Sequence, residues 1–127
     1  MAYLIDTNII VDFTRGNIKA CDYLERLGTR DCSISFMTAL EVIAGARDQR
    51  EVDDLDILVS FYRQIPPTED ITRQAYYLMK TYARSHGLQT IDSLIAATAL
   101  EDGLTLATKN RKHFAMIDGL ELHVPNY

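Results

Sequence analysis

Four oxygen-bearing side chains in this chain stand where chemistry is possible. Asp6 follows directly on the apolar run Tyr3-Leu4-Ile5. Glu41 lies within Thr38-Ala39-Leu40-Glu41-Val42-Ile43, and Asp92 within Thr90-Ile91-Asp92-Ser93-Leu94-Ile95-Ala96-Ala97. Asn110 closes Leu106-Ala107-Thr108-Lys109-Asn110. Each has an ordinary structural use. Asp6 can cap a following helix, Thr38 and Glu41 have capping-box spacing, Asp92 can oppose a helix dipole, and Asn110 can cap a turn. Taken together these uses explain less. Glu41 and Asp92 interrupt apolar runs, and a buried carboxylate without a partner is costly or shifts its pKa until neutral. No basic residue close in sequence pairs with either, so a divalent cation is the expected source of positive charge. The donors are hard oxygens without clustered Cys or His, which selects Mg²⁺ or Mn²⁺ over Zn²⁺. Such an ion acidifies water and stabilises charge growing on a phosphate, so the set points to metal-assisted phosphodiester hydrolysis.

These residues need a scaffold that brings distant segments together. Tyr3-Leu4-Ile5, Cys32 to Phe36 and Leu104 to Ala107 read as short strands, Ile65 as part of another, and Leu120 to Val124 as the last. Helical spacing marks Asn17 to Leu27, Thr38 to Arg47, Glu51 to Arg63, Thr68 to His86 and Thr90 to Asp102, with a short turn or helix over Asn110 to Phe114. Ile71, Ala75, Leu78, Met79, Tyr82 and Ala83 form one apolar stripe. Gly28, Gly87 and Gly103 are stop signals, and Pro66-Pro67 is a break. Strands alternating with helices predict a single α/β domain, residues 1–127: a three-layer α/β/α sandwich around a short, mostly parallel sheet. Ligands bind such sheets beyond the carboxyl ends of the strands, where the polar residues above fall.

Composition sets bounds. The chain has 127 residues, enough for one core without staples. Thirteen Lys+Arg against 18 Asp+Glu give a net charge of -5, which argues against coating nucleic acid by bulk charge but not against gripping a few phosphates locally. Cys21 and Cys32 lack metal-ligand spacing and read as small apolar residues in a reducing compartment. No apolar run nears the ~20 residues of a membrane span. The first residues lack a basic segment followed by an apolar one, so no signal peptide and a cytoplasmic location are expected.

The opening Leu4-Ile5-Asp6-Thr7-Asn8-Ile9-Ile10-Val11-Asp12 resembles the start of a PIN domain. Thr38-x-x-Glu41, Asp92 through Ala97, and Leu106 through Asn110 with His113-Phe114 extend the resemblance, in order, over nearly the whole chain. Length and pattern are most similar to VapC-type toxins of bacterial and archaeal toxin–antitoxin pairs. The resemblance implies a Mg²⁺- or Mn²⁺-dependent endoribonuclease with Asp6, Glu41 and Asp92 as core acids. The fourth acidic position of many members falls on Asn110, an amide that keeps an oxygen but removes a charge, which weakens the case for a second tightly held metal. His113 stands where some members carry another acid. Asp6 and Asp92 would anchor the metal, Glu41 would position or deprotonate the attacking water, and Thr7, Asn8, Thr38 and Thr108 would orient these groups. The resemblance also implies a homodimer and a cognate antitoxin whose C-terminal segment blocks the site.

Lys109, Arg111, Lys112 and His113 form a basic run beside Asn110, and Arg15 follows the first motif. The expectation is phosphate positioning on single-stranded or looped RNA, whose backbone is accessible at a sheet edge. Tyr76 and Tyr77 cannot both share the buried stripe of Tyr82, so at least one is expected on the surface, where it suits a dimer or partner contact. Two other readings carry their own tests. A phosphatase with Asp6 as nucleophile would form a phospho-aspartyl intermediate, although such enzymes usually want a second acid where Asn8 stands. A non-catalytic PIN scaffold that only binds RNA or protein would show no metal-stimulated cleavage.

Overall fold

The computed structural model describes all of residues 1–127. Five short strands form one parallel sheet: β1 (Tyr3–Ile5), β2 (Cys32–Ser35), β3 (Arg63–Ile65), β4 (Thr105–Ala107) and β5 (Leu122–His123), in the order β3-β2-β1-β4-β5. Seven helices connect them: α1 (Thr7–Thr14), α2 (Ile18–Leu27), α3 (Phe36–Ala44), α4 (Gln49–Val59), α5 (Glu69–His86), α6 (Thr90–Asp102) and α7 (Arg111–Phe114), with a 3₁₀ turn at Thr29–Asp31. The expected three-layer architecture is the one found.

Period-two alternation along the strands builds two cores. Leu4 and Leu106 face one side with Ile71, Ala75, Leu78, Ile95 and Phe114, beneath α5, α6 and α7. Ile5 and Ala107 face the other with Ile9, Ile10, Leu24, Ala39, Val42 and Leu55, beneath α1 to α4. The register Leu4↔Leu106 and Ile5↔Ala107 keeps each pair on a common face. Because β1 lies between β2 and β4, the chain leaves β1 toward one side of the sheet while β4 joins on the other. The carboxyl ends of β1 and β4 therefore flank the topological switch point, where open α/β sheets form crevices.

The helix stops at Gly87 and Gly103 are left-handed C-caps, with φ of 71° and 64°, a conformation that penalises any Cβ. Several expected bounds move. The sequence reading gives no bounds between Ile5 and Asn17, yet Thr7–Thr14 is helical. Phe36 opens α3 instead of ending β2, and α4 ends at Val59, so Arg63 belongs to a strand. The last strand contracts to Leu122–His123. Cys32 is buried and Cys21 partly so, and they are not bonded to each other. No helix is long and apolar enough to cross a membrane.

Candidate active site at the sheet switch point

Asp6 is the first residue beyond β1 and the N-cap of α1. Its backbone is extended, as a cap requires, and its Oδ1 accepts the Thr7 N–H at 2.8 Å. The backbone N–H of Asp6 still donates to Ala107 O at 2.9 Å, so the sheet ladder ends at this carboxylate. The other oxygen, Oδ2, accepts the Thr108 hydroxyl at 2.7 Å and the Asn8 amide at 3.3 Å. Asp6 is 4% exposed and Thr108 fully buried. Two segments 102 residues apart thus meet at one carboxyl group.

Thr7 joins Asp6 to Glu41. Its hydroxyl donates to Glu41 Oε1 at 2.7 Å and lies 2.9 Å from the Thr38 hydroxyl. A hydroxyl has one proton. Since Thr7 donates to Glu41, Thr38 must donate to Thr7. This arrangement replaces the expected capping box. α3 starts a turn earlier, capped by Ser35, whose Oγ accepts the Met37 N–H at 3.1 Å. Thr38 is therefore fully buried within the helix, and Glu41 points outward to Thr7 instead of back to its own helix end.

The expectation that Glu41 is buried is also corrected. It is exposed, as is the neighbouring Leu40 at 56%; the apolar run in α3 covers more than the face that packs, which is Thr38, Ala39 and Val42. Asp92, in the first turn of α6, is half-buried, and it does have a basic partner: His113 Nδ1 lies 3.5 Å from its Oδ2. α3 and α6 touch, which brings Glu41 toward Asp92.

The electrostatics tie the three acids together. The Asp6 pKa is raised above 3.8, first by burial and further by the negative charges of Asp92 and Glu41, against the lowering effect of the Thr108 and Thr7 hydrogen bonds. The Asp92 pKa is likewise raised, by burial first; the charge of His113 opposes this and that of Glu41 adds to it. The three carboxylates feel one another across a shared space, and no Lys or Arg forms an ion pair with any of them.

No three His, Cys, Asp or Glu side chains stand close enough to grip an ion together. The donor set therefore does not form an all-protein cage. Its hard oxygens suit a hydrated cation held by one or two carboxylates, as Mg²⁺ is commonly held, and Asp6 and Asp92 are the residues that could hold one. Repulsion among carboxylates with a buried member is the electrostatic signature such a cation would relieve.

The remaining predicted residues divide. Asn8 is brought in: its amide donates to Asp6, and its Oδ1 faces the Lys109 N–H at 3.5 Å. Asn110 is exposed and offers no side-chain cap to α7; its N–H donates to the Thr108 hydroxyl at 3.0 Å. Arg111 and Lys112 are exposed on α7 and unpaired. Lys109 is already engaged, with Nζ 2.6 Å from Asp12 Oδ2. Arg15 is not brought in; it caps the far end of α1, about 13 Å along the helix from Asp6 at the rise per residue of an α-helix. Sequence reasoning missed Asp12 and Tyr127, whose hydroxyl donates to Asp12 Oδ2 at 3.0 Å. Asp12 closes the opening motif, but no spacing rule pairs it with a residue 97 positions away, and nothing local marks Tyr127.

The protein is thus a parallel α/β domain with acidic side chains gathered beyond the carboxyl ends of its central strands. The chain belongs to the PIN-domain family, whose profile matches residues 3–120. It is 37% identical over 121 residues to ribonuclease VapC10 of Mycobacterium tuberculosis, spanning 93% of this chain and 90% of that protein. It is 36% identical to ribonuclease VapC19 of the same organism over 121 residues, spanning 93% of this chain and 96% of that one. Among solved structures, a toxin–antitoxin complex from Klebsiella pneumoniae superposes with a TM-score of 0.83 at 31% identity, covering 98% of each chain.

Proposed function

We propose that the protein is a metal-dependent endoribonuclease and the toxin of a toxin–antitoxin pair. The observation that carries this reading is the convergence at the switch point of buried Asp6, of Glu41 joined to it through Thr7, and of Asp92 in the first turn of α6, with no Lys or Arg paired to any of them. The names of the relatives support RNA as the substrate.

In this reading Asp6 and Asp92 hold Mg²⁺ or Mn²⁺. When bound, the ion supplies acidified water and neutralises charge on the phosphate. Glu41 has one oxygen tied to Thr7 and the other without a protein partner, so it can orient a water and accept its proton. A water so oriented would attack phosphorus as Glu41 takes its proton, the P–O bond to the leaving nucleotide would break, and the departing oxygen would take a proton from solvent. Thr7 and Thr108 hold their acids in place, while the free amide of Asn110 and the exposed Arg111 and Lys112 face the phosphate backbone. An open edge of this kind suits single-stranded or looped RNA.

The Klebsiella complex supports an antitoxin partner. Phe36 and Leu40, exposed on the helix that carries Glu41, suit a partner that covers the site. Tyr76 and Tyr77, both exposed on α5, suit a second copy of the chain. The test of the central reading is cleavage of single-stranded RNA with Mg²⁺ or Mn²⁺. Activity should vanish with EDTA and in folded Asp6→Asn and Asp92→Asn variants. Undiminished cleavage in either variant, or in EDTA, refutes it.

A further inference from the structure

Lys109 does not share the situation of its basic neighbours. Its Nζ lies 2.6 Å from Asp12 Oδ2 and 5.2 Å from the centroid of the Tyr127 ring. The Tyr127 hydroxyl donates to that same oxygen at 3.0 Å. One carboxylate oxygen on α1 thus receives a lysine and a tyrosine that come from two other segments. Burial and the charge of Asp12 push the Tyr127 pKa up, so its hydroxyl remains a donor throughout the ordinary pH range.

The cluster is wired into the acidic site through the backbone. Thr108, one residue before Lys109, donates its hydroxyl to Asp6 and its N–H to His123 O at 3.1 Å. The Lys109 N–H faces Asn8, whose amide reaches Asp6. On the far side, the Tyr127 ring centroid is 6.3 Å from that of Tyr23, and the Tyr23 hydroxyl is hydrogen-bonded to His123 Nδ1 at 2.5 Å. The loop after β4 is held both from α1 and from the edge of the sheet.

The energetics favour a geometric role. The Lys109 and Asp12 side chains are 35% and 21% exposed, and a partly solvated pair of this kind contributes little to stability. Its effect on position is larger in consequence, because a displacement of about 1 Å in a catalytic group can cost on the order of 100-fold in rate.

We propose that Asp12 and Tyr127 are positioning residues that clamp Lys109, fixing the Thr108 loop against Asp6, and that Lys109 is a strut and not a phosphate contact. The kinetic part of this proposal rests on the nuclease reading above. Asp12→Asn, Tyr127→Phe and Lys109→Met should each lower kcat by roughly tenfold at unchanged KM. The Asp12→Asn/Lys109→Met double variant should be no slower than the worse single one, and Lys109→Arg should restore most of the rate. RNA binding measured in EDTA as a function of salt separates strut from phosphate ligand. Lys109→Met should leave the slope of log K against log salt unchanged, whereas Arg111→Met should flatten it by about 0.7. A comparable flattening by Lys109→Met, with raised KM and intact kcat, overturns the proposal, and so does additivity in the double variant. If the wild-type protein cleaves no RNA, the nuclease reading fails by itself. The clamp is then judged on amide hydrogen exchange of the metal-free variants, where faster exchange confined to the Thr108–Asn110 loop in both Asp12→Asn and Lys109→Met upholds it and wild-type exchange there overturns it.

Discussion

Replacing Thr108 by Val tests the hydrogen-bond accounting around Asp6. The side chain is fully buried, so a similar shape is kept while one hydroxyl is removed. That hydroxyl donates to a carboxylate at 2.7 Å and accepts the Asn110 N–H at 3.0 Å. Asn110 is exposed, so water can take over the second bond. The first is charge-assisted and worth about 2 kcal/mol. At roughly 4 °C per kcal/mol for a domain of this size, the metal-free variant should melt about 8 °C lower at pH 7.5. The pH dependence follows from the raised Asp6 pKa. A carboxyl whose folded pKa exceeds its unfolded value of 3.8 contributes stability that is fully present below 3.8 and is lost as pH rises through the folded value. The Thr108 bond pulls that folded value down, so its removal raises it further. As pH falls through the folded value the carboxyl becomes neutral, and the variant then loses only a bond to a neutral group, worth about 1 kcal/mol. Urea or thermal unfolding in EDTA between pH 4 and 7.5 should show the gap to wild type narrowing by about half on acidification. A gap that stays constant, or widens toward acid, refutes the reasoning.

Other outcomes follow from the same site. In metal-free protein at pH 7, Asp92→Asn should raise the melting temperature, because burial and Glu41 disfavour the charged form more than His113 favours it; a lower melting temperature contradicts that balance. Adding Mn²⁺ at a hundred times its dissociation constant should stabilise the wild type by about 2.7 kcal/mol, a rise of about 10 °C that Asp6→Asn abolishes. Neutralising Arg111 and Lys112 together should flatten the salt dependence of RNA binding by about 1.4, twice the single-strand value per phosphate; an unchanged slope removes α7 from the RNA path.

Much of the fold was legible because local patterns and tertiary packing agree. Leu4 and Ile5 alternate as strand residues must, the stripe of α5 packs where its period places it, and Gly87 and Gly103 end helices as only glycine does readily. The errors fall where a local pattern had two outlets. Leu55, Leu58 and Tyr62 keep helical spacing beyond the end of α4, since Tyr62 is buried from the turn that follows the helix. Thr38 and Glu41 have capping-box spacing, but Ser35 caps first and frees both side chains for Thr7. Glu41 and Asp92 stand out in sequence because they break apolar runs, yet neither is fully buried as that argument required; the buried acid is Asp6, which stood out only by following a strand. The pairing of Asp92 with His113 and of Lys109 with Asp12 depends on contacts between distant segments, 97 residues apart for the second, and no spacing rule reaches that far.

The adjacency of the first strand and the fourth has a consequence for biosynthesis. Residues 3–5 pair with 32–33 on one side but find their second neighbour only at 105–107, and the hydroxyl that steadies Asp6 belongs to residue 108. A growing polypeptide thus carries an incomplete acidic edge until β4 has left the ribosome. On the nuclease reading proposed above, late completion would keep the emerging chain harmless to the machinery making it. Stalled chains ending before β4 should accordingly leave RNA intact, and cutting by such a fragment contradicts this order of assembly.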